Sequence, residues 1–189
     1  MKRSIGPCAL FAGFAILLMP VAAKAQSAAE TIERALAGAP ERVREDATVV
    51  RFNADHTWET LKEGSNAWVC YDRSGEGRRP AFSVQCTNIG NLARIAQNRR
   101  FAAEAADREA VQAAVAAAEA DGTREPAVYG SMWLAMNGTD MASARTHTTI
   151  AVPGATSEST GFPTCGDGGG ACIMAGGTGA AHLMVPTSR

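Results

Sequence analysis

The first 25 residues constrain this chain most, because their pattern predicts that they are absent from the mature protein. A basic start is followed by an apolar stretch from Pro7 to Met19 and by small residues at Ala23 and Ala25. This order is typical of a secretory signal peptide, and it predicts cleavage after Ala25. The apolar stretch is shorter than the roughly 20 residues that cross a bilayer as a helix, which disfavours a retained anchor.

Cleavage would leave residues 26–189, which we expect to form a single exported domain in the periplasm or outside the cell. With three of the 18 basic residues lost and all 19 acidic residues kept, this domain is mildly acidic. A nucleic-acid binder usually gathers a basic excess on one face, so we expect no nucleic-acid partner and no transmembrane anchor after cleavage. We interpret two arginine clusters as solvated surface: Arg73/Arg78/Arg79 and Arg94/Arg99/Arg100.

Four cysteines remain after cleavage: Cys70, Cys86, Cys165 and Cys172. An even number of cysteines in an oxidising compartment indicates disulfides, although the sequence alone allows three pairings. We favour the local pairs, Cys70 with Cys86 and Cys165 with Cys172, because the glycines between the last two suit a tight closed loop. The spacings match neither a C-x-x-C redox motif nor a structural zinc site.

The first half of the domain changes from helical to strand periodicity. Ser27 and Glu30 match a capping box at the start of a helix. Alternating apolar residues then predict strands at 47–52, 57–62 and 67–71, joined by tight polar turns. Such a run indicates an antiparallel meander.

The second half begins with an extended piece at 81–86 and a long alanine-rich helix at 92–121. Strands are predicted again at 148–152, 172–175 and 182–185. The fold class we expect is therefore α+β. It consists of an antiparallel sheet with an N-terminal helix and a long alanine-rich helix packed on or beside it.

Two histidines each stand at the start of a similar apolar strand that ends in Val-Pro. His147 begins the strand that ends at Pro153, and His182 begins the strand that ends at Pro186. If these strands pair in one sheet, the imidazoles would meet at a common edge. With Asp140 or Asp167 they would then suit zinc or another transition metal, or one of them would act as a general base. The alternative is that each histidine simply begins a strand at the sheet rim, since the pair shows no fixed ligand spacing. No complete catalytic set is present, and the sequence requires no cofactor.

The segment from Glu63 to Cys70 (Glu-Gly-Ser-Asn-Ala-Trp-Val-Cys) and the two His…Val-Pro endings carry a resemblance. In these motifs the chain resembles a group of small exported bacterial proteins without an assigned function. The likeness covers residues 30–72 and 145–186, whereas the alanine-rich segment departs from it. Cys172 also stands where the group has an aromatic residue. The resemblance implies an N-terminal helix followed by strands, and no activity or catalytic residue.

These observations leave three hypotheses for function. The first is a non-enzymatic exported domain that binds a small ligand or an envelope component. The second is an envelope hydrolase that uses His147 and His182, with or without a metal. The third is a structural or assembly protein that docks through the alanine-rich helix.

Overall fold

An eight-stranded mixed sheet forms the centre of the fold. The computed structural model describes residues 27–77, 79–166 and 169–186, and the signal peptide predicted over residues 1–25 lies outside these ranges. The strands are β1 (Thr48–Phe52), β2 (Trp58–Lys62), β3 (Trp68–Asp72), β4 (Phe82–Asn88), β5 (Met132–Gly138), β6 (Arg145–Ala151), β7 (Cys172–Met174) and β8 (His182–Val185). The helices are α1 (Ala28–Leu36), α2 (Glu41–Arg44), α3 (Leu92–Glu104), α4 (Arg108–Asp121) and α5 (Ser157–Thr160).

The strands are ordered β2-β1-β3-β4-β5-β6-β8-β7 across the sheet. Every neighbouring pair is antiparallel except β1 and β3, which run parallel. The α+β class is confirmed, and the sheet is mixed where we had expected it to be purely antiparallel.

The connection from β2 to β3 explains the parallel pair. β1 and β2 form the expected hairpin, but the chain then crosses the start of β1 and lays β3 along its other side. In the crossing, the backbone N–H groups of Ser65 and Asn66 donate to the carbonyl oxygen of Asp46 at 2.9 and 3.1 Å. A Cβ atom on Gly64 would lie 2.3 Å from that oxygen and 2.4 Å from the backbone nitrogen of Thr48. The predicted meander is therefore wrong, because a glycine lets two backbones touch where a tight turn was expected.

α1 covers one face of the sheet, against β1, β3 and β4. Its expected capping box is present: the backbone N–H of Glu30 donates to Oγ of Ser27 at 3.2 Å, and the N–H of Ser27 donates to Oε2 of Glu30 at 2.9 Å. The core on this face contains Ala35 of α1 together with Val49 and Leu134 of the sheet.

α3 covers the opposite face of the same strands. Leu92 and Ile95, three residues apart on one side of the helix, pack against Val50, Val69 and Tyr71. The central strands are thus enclosed on both sides, which accounts for the completely buried valines in β1, β3 and β4.

The alanine-rich segment forms two helices and not one. The backbone is extended at Ala105, and the side chain of Asp107 then accepts a hydrogen bond from the N–H of Ala110 at 2.9 Å. Asp107 therefore caps a new helix, and this cap interrupts a segment whose alanine content alone favours a continuous one. The long helix predicted over residues 92–121 is not observed.

Both expected disulfides are formed. Cys70 and Cys86 are register partners on β3 and β4, and both are fully buried. Cys165 and Cys172 close a loop that leads into β7 and remain partly exposed. Within the ranges that the structure describes, no helix is long and apolar enough to cross a membrane.

Candidate functional site

The two histidines singled out by the sequence are not neighbours. β6 and β8 do pair, but His182 lies opposite Ala151, four residues along β6 from His147. Both side chains share a face of the sheet, separated by about 13 Å at the ordinary rise of a strand. The exposed His147 also lies opposite Ala135 of β5. The structure thus places the two histidines at different ends of the strand pair.

The carboxylates proposed to join them are no closer to forming a site. Asp140 lies in the exposed turn between β5 and β6, where its Oδ1 accepts a hydrogen bond from the N–H of Ser143 at 2.8 Å. Hydrogen bonds from Ser143 lower the pKa of Asp140 and give it a local structural role. Asp167 lies outside the described residues. Among the residues that are described, no three His, Cys, Asp or Glu side chains form a group that would hold a metal.

A cleft opens instead between the helices and the far half of the sheet, on the face that carries α3. It encloses about 320 Å³, at the small end of the range for ligand pockets. We call it the arginine cleft, and its lining consists of Arg94, Asn98, Val115, Arg124, Ala127, Trp133, Thr149, Ala151, Gly179, Ala180, Ala181 and His182.

The sheet forms the floor of the arginine cleft. Trp133 of β5 and Thr149 of β6 are register partners, and so are Ala151 of β6 and His182 of β8. These two rows are about 7 Å apart along the strands, because two residues separate them. Nδ1 of His182 lies 2.8 Å from the carbonyl oxygen of Ala180, and donation to this oxygen fixes the ring.

Arg94 contributes to the helical side of the cleft and is itself deeply buried, with 5% of its surface exposed. Its Nη1 donates to the carbonyl oxygen of Glu125 at 2.5 Å, and its Nη2 donates to that of Gly179 at 2.9 Å. Burial lowers the pKa of Arg94, while the nearby carboxylate of Glu119 acts in the opposite direction. Arg94 therefore joins α3 to the segment after α4 and to the turn before β8.

Arg124 follows α4 and reaches back to α3. Its Nη2 donates to Oδ1 of Asn98 at 2.5 Å, and its Nη1 donates to Oε1 of Gln97. Its guanidinium lies 5.6 Å from the ring centroid of Phe101. Burial lowers the pKa of Arg124 to about 10, with the positive charge of Arg94 as the second cause. The two guanidiniums are thus close enough to repel each other.

The charge of this pair is offset by nearby carboxylates and not by direct ion pairs. Within the described part of the chain the ion pairs involve other arginines, and neither Arg94 nor Arg124 contacts a carboxylate. The negative charge of Glu119 acts on both arginines, and its buried Oε1 has no hydrogen-bond partner among the described residues. Glu125 is exposed, so that solvent and salt screen its charge. The cleft therefore presents two guanidiniums that no described carboxylate contacts, although the charge of Glu119 reduces their positive potential.

Arg94 and Arg124 were not recognised from the sequence. Arg94 belongs to a cluster interpreted as solvated surface, which is wrong for two of its three members: Arg94 is buried, and Arg99 is half-buried over the ring of Phe52. Arg99 stands seven residues after Leu92, on the apolar side of α3, so helical periodicity already indicated that it faces inward. The burial of Arg94 depends on Glu125 and Gly179, and no local pattern indicates these contacts.

The structure does not test the docking hypothesis for the alanine-rich segment. Most side chains of α4 are exposed, and Ala118 is its buried residue. No contact among the described residues shows what would cover this surface, so docking through it stays a prediction.

No protein-family model, curated protein or solved structure matches this chain. The similarity to small exported proteins stays a prediction. The geometry of the arginine cleft is therefore the basis on which a function can be proposed.

Proposed function

We propose that this chain is an exported, non-enzymatic binding domain that holds a small anionic ligand in the arginine cleft. The observation that carries the proposal is the position of Arg94 and Arg124, which line one small cleft without contacting a carboxylate in the described residues. Guanidinium groups are the preferred partners of carboxylates and phosphates, because their planar N–H groups match two oxygen atoms at once.

The surroundings of the two arginines also support binding. Their hydrogen bonds to backbone carbonyls and amide side chains hold the guanidiniums in place before a ligand arrives. Such preorganisation lowers the entropy that binding costs. Partial burial strengthens the attraction to an anion, since the effective dielectric constant is lower than in water.

Binding fits the geometry better than hydrolysis does. A hydrolase needs a nucleophile or an activated water beside an oriented base. His182 donates from Nδ1 to the carbonyl oxygen of Ala180, which orients its ring, but His147, the other member of the expected pair, lies about 13 Å away along the sheet. The pair suggested by the sequence is therefore not assembled as one site.

Two disulfides support the exported location, because such bridges form and persist in oxidising compartments. An exported binding domain meets its ligand outside the cytoplasm, where low-molecular-weight anions come from the medium or from the envelope.

Isothermal titration calorimetry of the purified protein at low ionic strength tests the proposal, with acetate, phenylacetate, glucuronate and inorganic phosphate as probes. We expect at least one of them to bind, and added NaCl to weaken it because salt screens the arginines. Arg124→Gln should lower the affinity about tenfold or more, since a charged hydrogen bond is lost. Arg124→Lys keeps the charge and should retain part of the affinity.

Arg100→Gln is the matched control, because Arg100 is an exposed arginine of α3 outside the cleft. Circular dichroism must show that each variant is folded. If none of the four anions binds, or if Arg124→Gln and Arg124→Lys both bind like the unmodified protein, the proposal is wrong.

A further inference from the structure

The lining of the arginine cleft combines charged groups with apolar ones. The charged and amide groups, Arg94, Asn98 and Arg124, come from α3 and the segment after α4. Most of the remaining lining is apolar or small: Val115, Ala127, Trp133, Ala151, Gly179, Ala180 and Ala181. A ligand that fills the cleft therefore meets both charged and apolar groups.

The small side chains create the space for an apolar group. Ala151 and Ala181 are almost completely buried, with 4% and 2% of their surfaces exposed, so they limit the depth of the cleft and leave most apolar contact to its other residues. Trp133 is partly exposed and supplies a large aromatic surface on the floor. Aromatic side chains of this kind offer a large apolar contact area together with a preferred stacking geometry.

We infer that the ligand is an organic monocarboxylate with a compact apolar body, whose carboxylate meets Arg94 and Arg124 while its body lies on Trp133. This inference rests on the proposed function and specifies the ligand of the same cleft. A volume of about 320 Å³ suits a body the size of one ring.

Other anions fit the lining less well. An inorganic oxyanion would leave the apolar side chains of Val115 and Ala127 in contact with water, and would gain nothing from Trp133. A sugar acid would turn several hydroxyl groups toward these apolar side chains, where they lose hydrogen bonds to water without finding partners. Thr149 and His182 are the polar groups on the floor, and two such groups do not satisfy a ring of hydroxyls.

Calorimetry with the same four probes separates these ligand classes. Phenylacetate and acetate carry the same charge, so their ratio of affinities reports the apolar body alone. We expect phenylacetate to bind at least about tenfold more tightly than acetate, because part of its ring leaves water. Glucuronate and phosphate should bind no more tightly than acetate.

Substitutions then locate the apolar contact. Trp133→Leu should reduce the preference for phenylacetate, whereas Trp133→Phe, which keeps an aromatic ring, should retain most of it. Trp58→Leu is the control, because Trp58 is a partly exposed tryptophan at the opposite edge of the sheet. Nuclear Overhauser contacts between the phenylacetate ring and the indole of Trp133 would give a measurement that needs no variant.

The outcomes distinguish this inference from the function on which it rests. If acetate or phosphate binds as tightly as phenylacetate, or if glucuronate binds most tightly, the inference is wrong while anion binding stands. A preference for phenylacetate that Trp133→Leu leaves intact, without contacts to the indole, also overturns the inference. If no probe binds, the proposed function itself fails.

Discussion

Gly64→Ala is a direct test of the strand order. The new Cβ atom would meet three backbone atoms at the start of β1, the closest being the carbonyl oxygen of Asp46 at 2.3 Å. Real Cβ atoms do not approach so closely, and no flexible side chain is present to give way. Gly64 does not have a positive φ, so alanine is allowed by the backbone itself and the effect is purely steric.

The expected loss follows from the hydrogen bonds that the crossing makes. Moving the chain away from β1 breaks the bonds from Ser65 and Asn66 to Asp46, and the bond from the N–H of Gly64 to Oγ1 of Thr48 at 3.2 Å. Each contributes about 1 kcal/mol to the free energy of unfolding. Alanine restricts the unfolded chain and offsets roughly 0.5–1 kcal/mol of this loss. The net destabilisation is about 2 kcal/mol, or a decrease in Tm of roughly 4–8 °C for a domain of this size.

Differential scanning calorimetry measures this change. Gly166→Ala is the control, because a Cβ atom there would have no atom of the described residues within 4 Å and the φ of Gly166 is not positive, so the Tm should change by no more than about 1 °C. In a simple meander, residues 63–66 would form an exposed turn that tolerates alanine. A Gly64→Ala protein with the Tm of the unmodified one would therefore refute the crossing and the β2-β1-β3 order.

Three further predictions follow from local features. Mild reductant should open the partly exposed 165–172 bridge before the buried 70–86 bridge. Alkylation followed by mass spectrometry should therefore find Cys165 and Cys172 modified first. If Cys70 and Cys86 are modified first, their burial does not protect the bridge. Burial raises the pKa of Tyr71, so the fold disfavours the ionised phenol and stability should fall as the pH rises above about 10. Urea unfolding between pH 9 and 11.5 measures this loss of stability, and Tyr71→Phe should make it smaller. If the free energy of unfolding of Tyr71→Phe falls with pH as steeply as that of the unmodified protein, Tyr71 is not the cause. Ala175→Gly should raise the free energy of unfolding by about 0.5–1 kcal/mol, because Ala175 has a φ of 54°, which strains a residue that carries a Cβ atom. A free energy of unfolding below that of the unmodified protein would show that this strain is absent.

The positions of most elements were predictable because their causes are local. Alternating side chains and turn residues indicate the strand at 182–185, and the capping pair Ser27 and Glu30 indicates the start of α1. The pairing of the cysteines was also predictable, since Cys165 and Cys172 are joined by a short glycine-rich loop. Each of these features depends on residues close together in the sequence.

The order of the strands and the arginine cleft were not predictable in the same way. The pattern of residues 47–71 is the same whether β3 joins β2 or β1, and the choice depends on a contact between Gly64 and the backbone of Asp46. The arginine cleft brings together residues that are as far apart in the sequence as Arg94 and His182, and the order of strands in the whole sheet places them side by side. The break between α3 and α4 could be predicted from Asp107, which is a good N-cap, but the alanines around it favoured one continuous helix.

Both covalent bridges are local, with their cysteines 16 and 7 residues apart in the sequence. Neither one attaches the C-terminal hairpin of β7 and β8 to the rest of the sheet. The hairpin is held by its pairing with β6, by backbone hydrogen bonds to residues 152–155 and by the bond from Arg94 to Gly179. The hairpin should therefore open as a unit with both bridges intact, and its amide protons should exchange with solvent sooner than those of β3 and β4. A molecule bound between Arg94 and His182 would connect the hairpin to the rest of the domain and slow the exchange of the hairpin amide protons. Ligand binding in the cleft would therefore be detected at residues that do not contact the ligand.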